Sequence, residues 1–107
     1  MNNSMIKDSI LITLEEALKY KKMKLKEIRN SKELLYILNN IIQDNIRDAI
    51  DANPTIDYVD IVIKNYDWGG IDVEFIINIL KDEYGYKGTK IISDGIKSPI
   101  LRIPLTK

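Results

Sequence analysis

Apolar residues change their period part-way along this chain, and that change constrains the fold more than any other feature. Between residues 34 and 50 they recur every three or four positions, which is the pattern of an amphipathic helix. The stripe consists of Leu34, Leu35, Leu38, Ile41, Ile42, Ile46, Ala49 and Ile50. Asn30 or Ser31 can cap the start of this helix, and the Asn53-Pro54 pair ends it.

From residue 56 to residue 64 the period becomes two. Val59, Ile61 and Ile63 share one face of an extended chain, so this segment predicts a half-buried strand. Residues 65–70 contain Asn, Asp and two consecutive glycines, which indicates a loop.

Residues 5–28 also have a helical period, so we predict a first helix from about residue 5, after a frayed terminus at residues 1–4. Thr13 and Glu16 have the spacing of a capping box, which would begin the helix at Leu14 instead. Only a few residues separate this helix from the next. The sequence therefore predicts an antiparallel helical hairpin.

A third helix is predicted after the loop. Asp72 can cap its start, and Gly85 lies where a left-handed residue commonly ends a helix. Its apolar face is formed by Val73, Ile76, Ile77 and Leu80, with Tyr84 in the last turn.

The chain ends in two segments with strand character, residues 89–93 and 99–105, around a turn at Asp94-Gly95. Pro99 and Pro104 cannot donate hydrogen bonds to a neighbouring strand. The prolines therefore favour an outer position in the sheet for the last strand.

Together these elements predict a single α+β domain over residues 1–107, in the order α-α-β-α-β-β. A helical hairpin (residues 5–53) and the third helix would pack on a small three-stranded mixed sheet formed by the βαββ unit (residues 56–107).

The chain has no histidine and no cysteine. Thiol chemistry, histidine general bases and the usual transition-metal ligands are therefore excluded. We predict a non-enzymatic protein with no cofactor and no metal. Because no apolar run is long enough to span a membrane and no secretory leader is evident, we expect no membrane association and a cytoplasmic location.

The loop at residues 65–70 contains the only tryptophan of the chain. Trp and Tyr contribute strongly to protein interfaces, so a partner-binding surface is one interpretation of this loop. The other is that Trp68 closes the end of the core. The residues assigned to the partner-binding surface are Tyr66, Asp67, Trp68, Asp57, Asp60 and Asp72.

The charges are segregated, although the chain as a whole is neutral. Residues 19–32 contain seven basic residues and one acidic residue, whereas residues 44–83 contain ten acidic and three basic residues. The basic segment could bind nucleic acid or an acidic protein surface, or it could be a solvated helix end. The residues assigned to this patch are Lys19, Lys21, Lys22, Lys24, Lys26 and Arg29.

Residues 41–107 resemble small accessory proteins of bacteriophages and prophages. The resemblance rests on the alanines at 49 and 52, on Leu80-Lys81 followed by Gly85-Tyr86-Lys87, and on the terminal residues 100–105. It implies a phage-encoded protein in the cytoplasm of a bacterial host, and it supplies no site residues. The 21 isoleucines against 10 leucines are typical of an AT-rich genome.

The leading hypothesis is an inhibitor that docks on a host protein, such as a nuclease or another defence effector. The main alternative is nucleic-acid binding through residues 19–32 and the basic C-terminal hairpin. Two lesser alternatives are a sponge for a nucleotide signal, bound between subunits of a homo-oligomer, and a magnesium-dependent nuclease that uses the clustered carboxylates.

Overall fold

The computed structural model describes residues 11–93, 95 and 98–106. The chain divides into two compact units, residues 1–31 and residues 32–107. The expected fraying of residues 1–4 and the side chain of Asp94 lie outside the described residues.

In the first unit, helix α1 spans Leu14–Arg29. Thr13 Oγ1 accepts a hydrogen bond from the Glu16 backbone N–H (3.1 Å), and Glu16 Oε1 accepts one from the Thr13 backbone N–H (3.0 Å). This is the capping box of the sequence. A helix running without interruption from about residue 5 is wrong, because residues 11–13 are not helical. No residue of α1 is buried.

The second unit begins with a long helical stretch that changes its winding twice. Helix α2 (Lys32–Tyr36) leads into a π-helical segment (Ile37–Gln43), which continues as helix α3 (Asp44–Ala52). The remaining elements are strand β1 (Tyr58–Val62), a 3₁₀ turn (Ile63–Asn65), helix α4 (Val73–Asp82), strand β2 (Lys90–Ile92) and strand β3 (Ile100–Pro104). The α+β class and the order of elements are as predicted.

The sheet has the order β1-β3-β2, and both neighbours run antiparallel to β3. The prediction of a mixed sheet is therefore wrong. The outer position expected for the last strand is wrong as well, because β3 is the central strand.

The direction of the Pro104 nitrogen explains how β3 can be central and still contain that proline. The bonds from Ile63 N–H to Pro99 O (3.2 Å) and from Leu105 N–H to Asp57 O (2.7 Å) establish which residues of β3 face β1. By that alternation Pro104 faces the β2 side, at the level of Gly88, where the ladder has already ended. A Cβ at Gly88 would lie 2.9 Å from Pro104 Cγ. The Pro104 ring therefore fills the space that a side chain at position 88 would need.

One face of the sheet is covered, and the core of the second unit lies there. Leu101 and Ile103 of β3 have no exposed surface, and Val59 and Ile61 of β1 are buried beside them, as their alternation predicted. The core is completed by Leu34, Ile37, Ile41, Ile42, Ile71, Ile76, Ile77, Ile79 and Leu80. The strand residues that point to the opposite face are exposed or half-buried, and we call this side the open face.

Candidate binding surfaces

The tryptophan loop is held by hydrogen bonds within the second unit. Trp68 is half-buried, and its indole Nε1–H donates to Ile63 O over 2.8 Å. The ring of Tyr66 meets that of Trp68 edge-on, with centroids 6.4 Å apart. Asn45 Nδ2 donates to the Tyr66 hydroxyl (3.2 Å) and to Ile41 O (2.7 Å), which ties the loop to α3. These bonds give Trp68 a structural role, and its contact with a partner stays a prediction.

Three of the four acidic residues assigned to the partner-binding surface have partners within the chain. Asp67 Oδ1 accepts from Gly69 N–H (2.8 Å), and Asp72 Oδ1 accepts from Glu74 N–H at the start of α4 (3.0 Å). Asp60 accepts two hydrogen bonds from Arg102, each 2.8 Å long. Asp57 is exposed and directly precedes β1. The structure thus distributes these residues over the loop, a helix start and one strand.

Arg102 lies at the centre of the open sheet face. Its guanidinium stacks on the Tyr58 ring, with 3.9 Å between Cζ and the ring centroid, while Asp60 binds its donors. The hydrogen bond to Asp60 raises the pKa of Arg102 above its ordinary value. Since Asp60 neutralises this cation, Arg102 adds little positive potential to the C-terminal hairpin.

The basic residues of the first unit are exposed on α1 and point in several directions around it. Lys24 Nζ lies 3.3 Å from Glu27 Oε1 and 5.4 Å from the Tyr20 ring centroid, and the hydrogen bond to Glu27 raises the pKa of Lys24. Lys19 Nζ lies 4.0 Å from Glu15 Oε1. The helix therefore presents its cations to solvent without forming one basic face.

A groove beside the π-helical segment was not anticipated from the sequence. It has a volume of about 270 Å³. Its floor is formed by Leu38, Ile42 and Leu80, and its rim by Arg47, Tyr84 and Tyr86. We call this the π groove. Tyr84, which the sequence placed in the last turn of an apolar face, is 57% exposed. π-helical turns are rare and often accompany functional sites. The π-helical winding at Ile37–Gln43 therefore makes this groove a candidate functional site.

A second depression, of about 400 Å³, lies between α2 and the tryptophan loop. Lys32, Glu33, Tyr36 and Asp67 line it, and the backbone approaches closely at Gly69, where a Cβ would lie 3.1 Å from Glu33 Cβ. Three of its six lining residues are charged, whereas Arg47 is the one charged residue among the nine that line the π groove.

Within the described residues, no group of three acidic, histidine or cysteine side chains is placed to hold a metal ion. Nor is any helix in that part of the chain both long and apolar enough to cross a membrane. Comparison with protein-family models, with curated proteins and with solved structures found no match to the chain.

Proposed function

We propose that this chain is a non-catalytic protein-binding domain, and that the π groove receives an apolar side chain of the partner. The arrangement of Tyr84, Tyr86 and Arg47 around an apolar floor carries this proposal. Tyr and Arg are enriched among the residues that dominate binding energy at interfaces, and an apolar pocket with a polar rim is the usual setting of such an anchor.

The size of the groove is suited to a side chain of a docked protein. Pockets for drug-sized molecules have volumes of roughly 300–1,000 Å³ and enclose most of the ligand. The π groove, at about 270 Å³, lies just below that range. One or two aliphatic or aromatic side chains of a docked protein would fill it.

The proposed partner is a host protein, such as a nuclease or another defence effector, and the proposed setting is the cytoplasm of a bacterium that carries a phage or prophage. The resemblance of residues 41–107 to phage accessory proteins supports this setting. The acidic stretch at residues 44–83 also supports it, because proteins that process nucleic acid carry basic clefts that acidic surfaces can approach.

Site-specific photocrosslinking in the bacterial host tests the proposal. A photoreactive phenylalanine analogue replaces Tyr84, which follows α4, in one sample and Asn78, an exposed residue of α4, in the control. We expect a discrete protein adduct from position 84 only. Arg47→Glu should remove that adduct without unfolding the chain, because Arg47 is exposed. The same pattern from both positions, or no adduct from either, would contradict the proposal.

Nucleic-acid binding is the second candidate, and the exposure of the lysines on α1 favours it. It predicts binding that weakens steeply as salt rises. Gel-shift titrations of DNA and RNA with the unmodified protein and with the Lys21→Gln/Lys22→Gln/Lys26→Gln variant separate the two candidates. Loss of binding in that variant alone supports a nucleic-acid role, whereas no shift by the unmodified protein at low salt excludes it.

A further inference from the structure

Strand β1 is an edge strand of the sheet. It pairs with β3 on one side, and no other described strand pairs with it. The hydrogen-bonded pairs of Ile63 with Pro99 and of Leu105 with Asp57 lie at its two ends. Because such pairs alternate along an antiparallel ladder, Val59 and Ile61 direct their backbone groups towards β3. Tyr58, Asp60 and Val62 direct their N–H and C=O groups outwards.

This edge has few of the features that usually block strand addition, and Asp60 is its one charged residue. Edge strands are commonly protected by proline, by lysine, by a bulge or by being very short. Strand β1 has five residues, with the sequence YVDIV, and contains neither proline, glycine nor lysine. The opposite edge is different, since β2 has three residues, begins with Lys90 and directs outwards only the backbone groups of Ile91.

We infer that β1 is a dimerisation edge, which pairs with β1 of a second copy of this chain about a twofold axis beside Asp60. The twofold symmetry follows from the residues whose backbone groups point away from β3. Tyr58, Asp60 and Val62 are centred on Asp60, so an antiparallel copy brings Tyr58 opposite Val62 and each Asp60 opposite its equivalent. Each of the three residues then donates and accepts one backbone hydrogen bond across the interface.

The charges permit this pairing. Two carboxylates placed directly opposite each other would repel, but both oxygens of Asp60 accept hydrogen bonds from Arg102 on β3, away from the open edge.

The side chains on the open face also complement one another. Tyr58 is 46% exposed and Val62 is half-buried. The proposed register places the ring of Tyr58 from one copy against Val62 of the other. The twofold axis gives two such pairs in the dimer. Aromatic and β-branched residues form favourable pairs across antiparallel strands. The product is one continuous six-stranded antiparallel sheet.

Amide hydrogen exchange measured by NMR at low micromolar and at submillimolar protein concentration tests this inference, with sedimentation analysis of the same samples. We expect a dimer at the higher concentration. Exchange at Tyr58, Asp60 and Val62 should slow by about tenfold or more as concentration rises, since association protects these amides by mass action. Val59 and Ile61 should be protected at both concentrations, because their amides bond within the chain.

The variant Val62→Pro tests the same edge by removing one outward N–H. Val62 has φ −74° and ψ 111°, which proline adopts without strain, and its N–H makes no bond within the sheet. We expect a folded monomer. Val62→Thr, which keeps both the N–H and the branched side chain, should still form the dimer.

Three outcomes would overturn the inference: a monomer at every concentration, a dimer without the alternating protection, or a Val62→Pro protein that dimerises like the unmodified chain. A monomer would leave the edge to a strand of another protein. If Val62→Pro fails to fold, the exchange pattern of the unmodified protein decides.

Discussion

Trp68 donates its indole N–H to the carbonyl oxygen of Ile63 over 2.8 Å. In the sheet register, the residue opposite Ile63 is Pro99, which accepts from Ile63 N–H but has no N–H to return. The indole supplies the missing donor, together with a longer bond of 3.3 Å from Tyr66 N–H. The tryptophan loop therefore completes the end of the β1–β3 ladder.

We expect Trp68→Phe to lower the free energy of unfolding by about 1–2 kcal/mol, from one lost hydrogen bond and a smaller ring. Pro99→Ala adds a backbone N–H that faces Ile63 O. In that background Trp68→Phe should cost less, and a double-mutant cycle by urea unfolding should give a coupling of about 0.5–1 kcal/mol. Strictly additive losses of stability would contradict the conclusion that the Trp68 indole replaces the donor that Pro99 lacks.

The contact between Gly88 and Pro104 gives a second prediction. The effect of Gly88→Ala on stability should change sign when Pro104 is replaced. A Cβ at Gly88 would lie 2.9 Å from Pro104 Cγ, so Gly88→Ala should destabilise the protein by about 1–3 kcal/mol. In a Pro104→Ala background the obstacle is absent. Gly88 does not have a positive φ, so alanine there should be neutral or should stabilise by about 0.4–1 kcal/mol, through the unfolded state. Thermal unfolding of the four proteins measures this. An equal cost in both backgrounds would contradict it.

Features that depend only on residues close to one another in the sequence were predictable. The capping box at Thr13, the cap at Asp72 and the left-handed Gly85 need only a few residues and a local backbone shape. The buried face of β1 follows from alternation alone. The central position of β3 tolerates its prolines because Pro104 faces β2 beyond the end of that ladder and the Trp68 indole replaces the donor that Pro99 lacks. That is a property of the strand register and is not encoded by the proline residues themselves.

The candidate site was less predictable for related reasons. Nothing in residues 37–43 distinguishes a π-helical winding from an α-helical one, so the π groove had no sequence signal. The tryptophan loop was recognised as distinctive, and the interpretation that Trp68 closes the core agrees with its half-buried ring. The acid at position 60 could not be assigned to Arg102 from sequence, because 42 residues separate the two.

The N-cap of α4 gives a third prediction, since Asp72 accepts from Glu74 N–H over 3.0 Å. Asp72→Ala removes that acceptor and should lower the free energy of unfolding by about 1 kcal/mol. Asp72→Asn keeps an acceptor in the same place and should cost only a few tenths of that. Urea unfolding followed by circular dichroism compares the two variants. Equal losses would mean that the charge of Asp72, rather than its hydrogen bond, stabilises the helix.

The capping box of α1 predicts a pH dependence at the start of that helix. The hydrogen bond from the Thr13 backbone N–H lowers the pKa of Glu16 below its ordinary value, and the bond from the Thr13 hydroxyl lowers it further. A carboxyl whose pKa is lowered by folding stabilises the folded state above its unfolded pKa. That stabilisation is lost as pH falls through the lowered, folded pKa.

We therefore expect the Glu16 carboxyl carbon, followed by NMR, to titrate below the range of an unstructured glutamate. Thr13→Val removes only the hydroxyl, so it should raise the titration midpoint part of the way. Glu16→Gln keeps an acceptor that can fill the capping box, so the α1 signal in its circular dichroism should lose this acid dependence. If Glu16 titrates at or above its ordinary range, the two hydrogen bonds that hold its carboxylate are absent in solution.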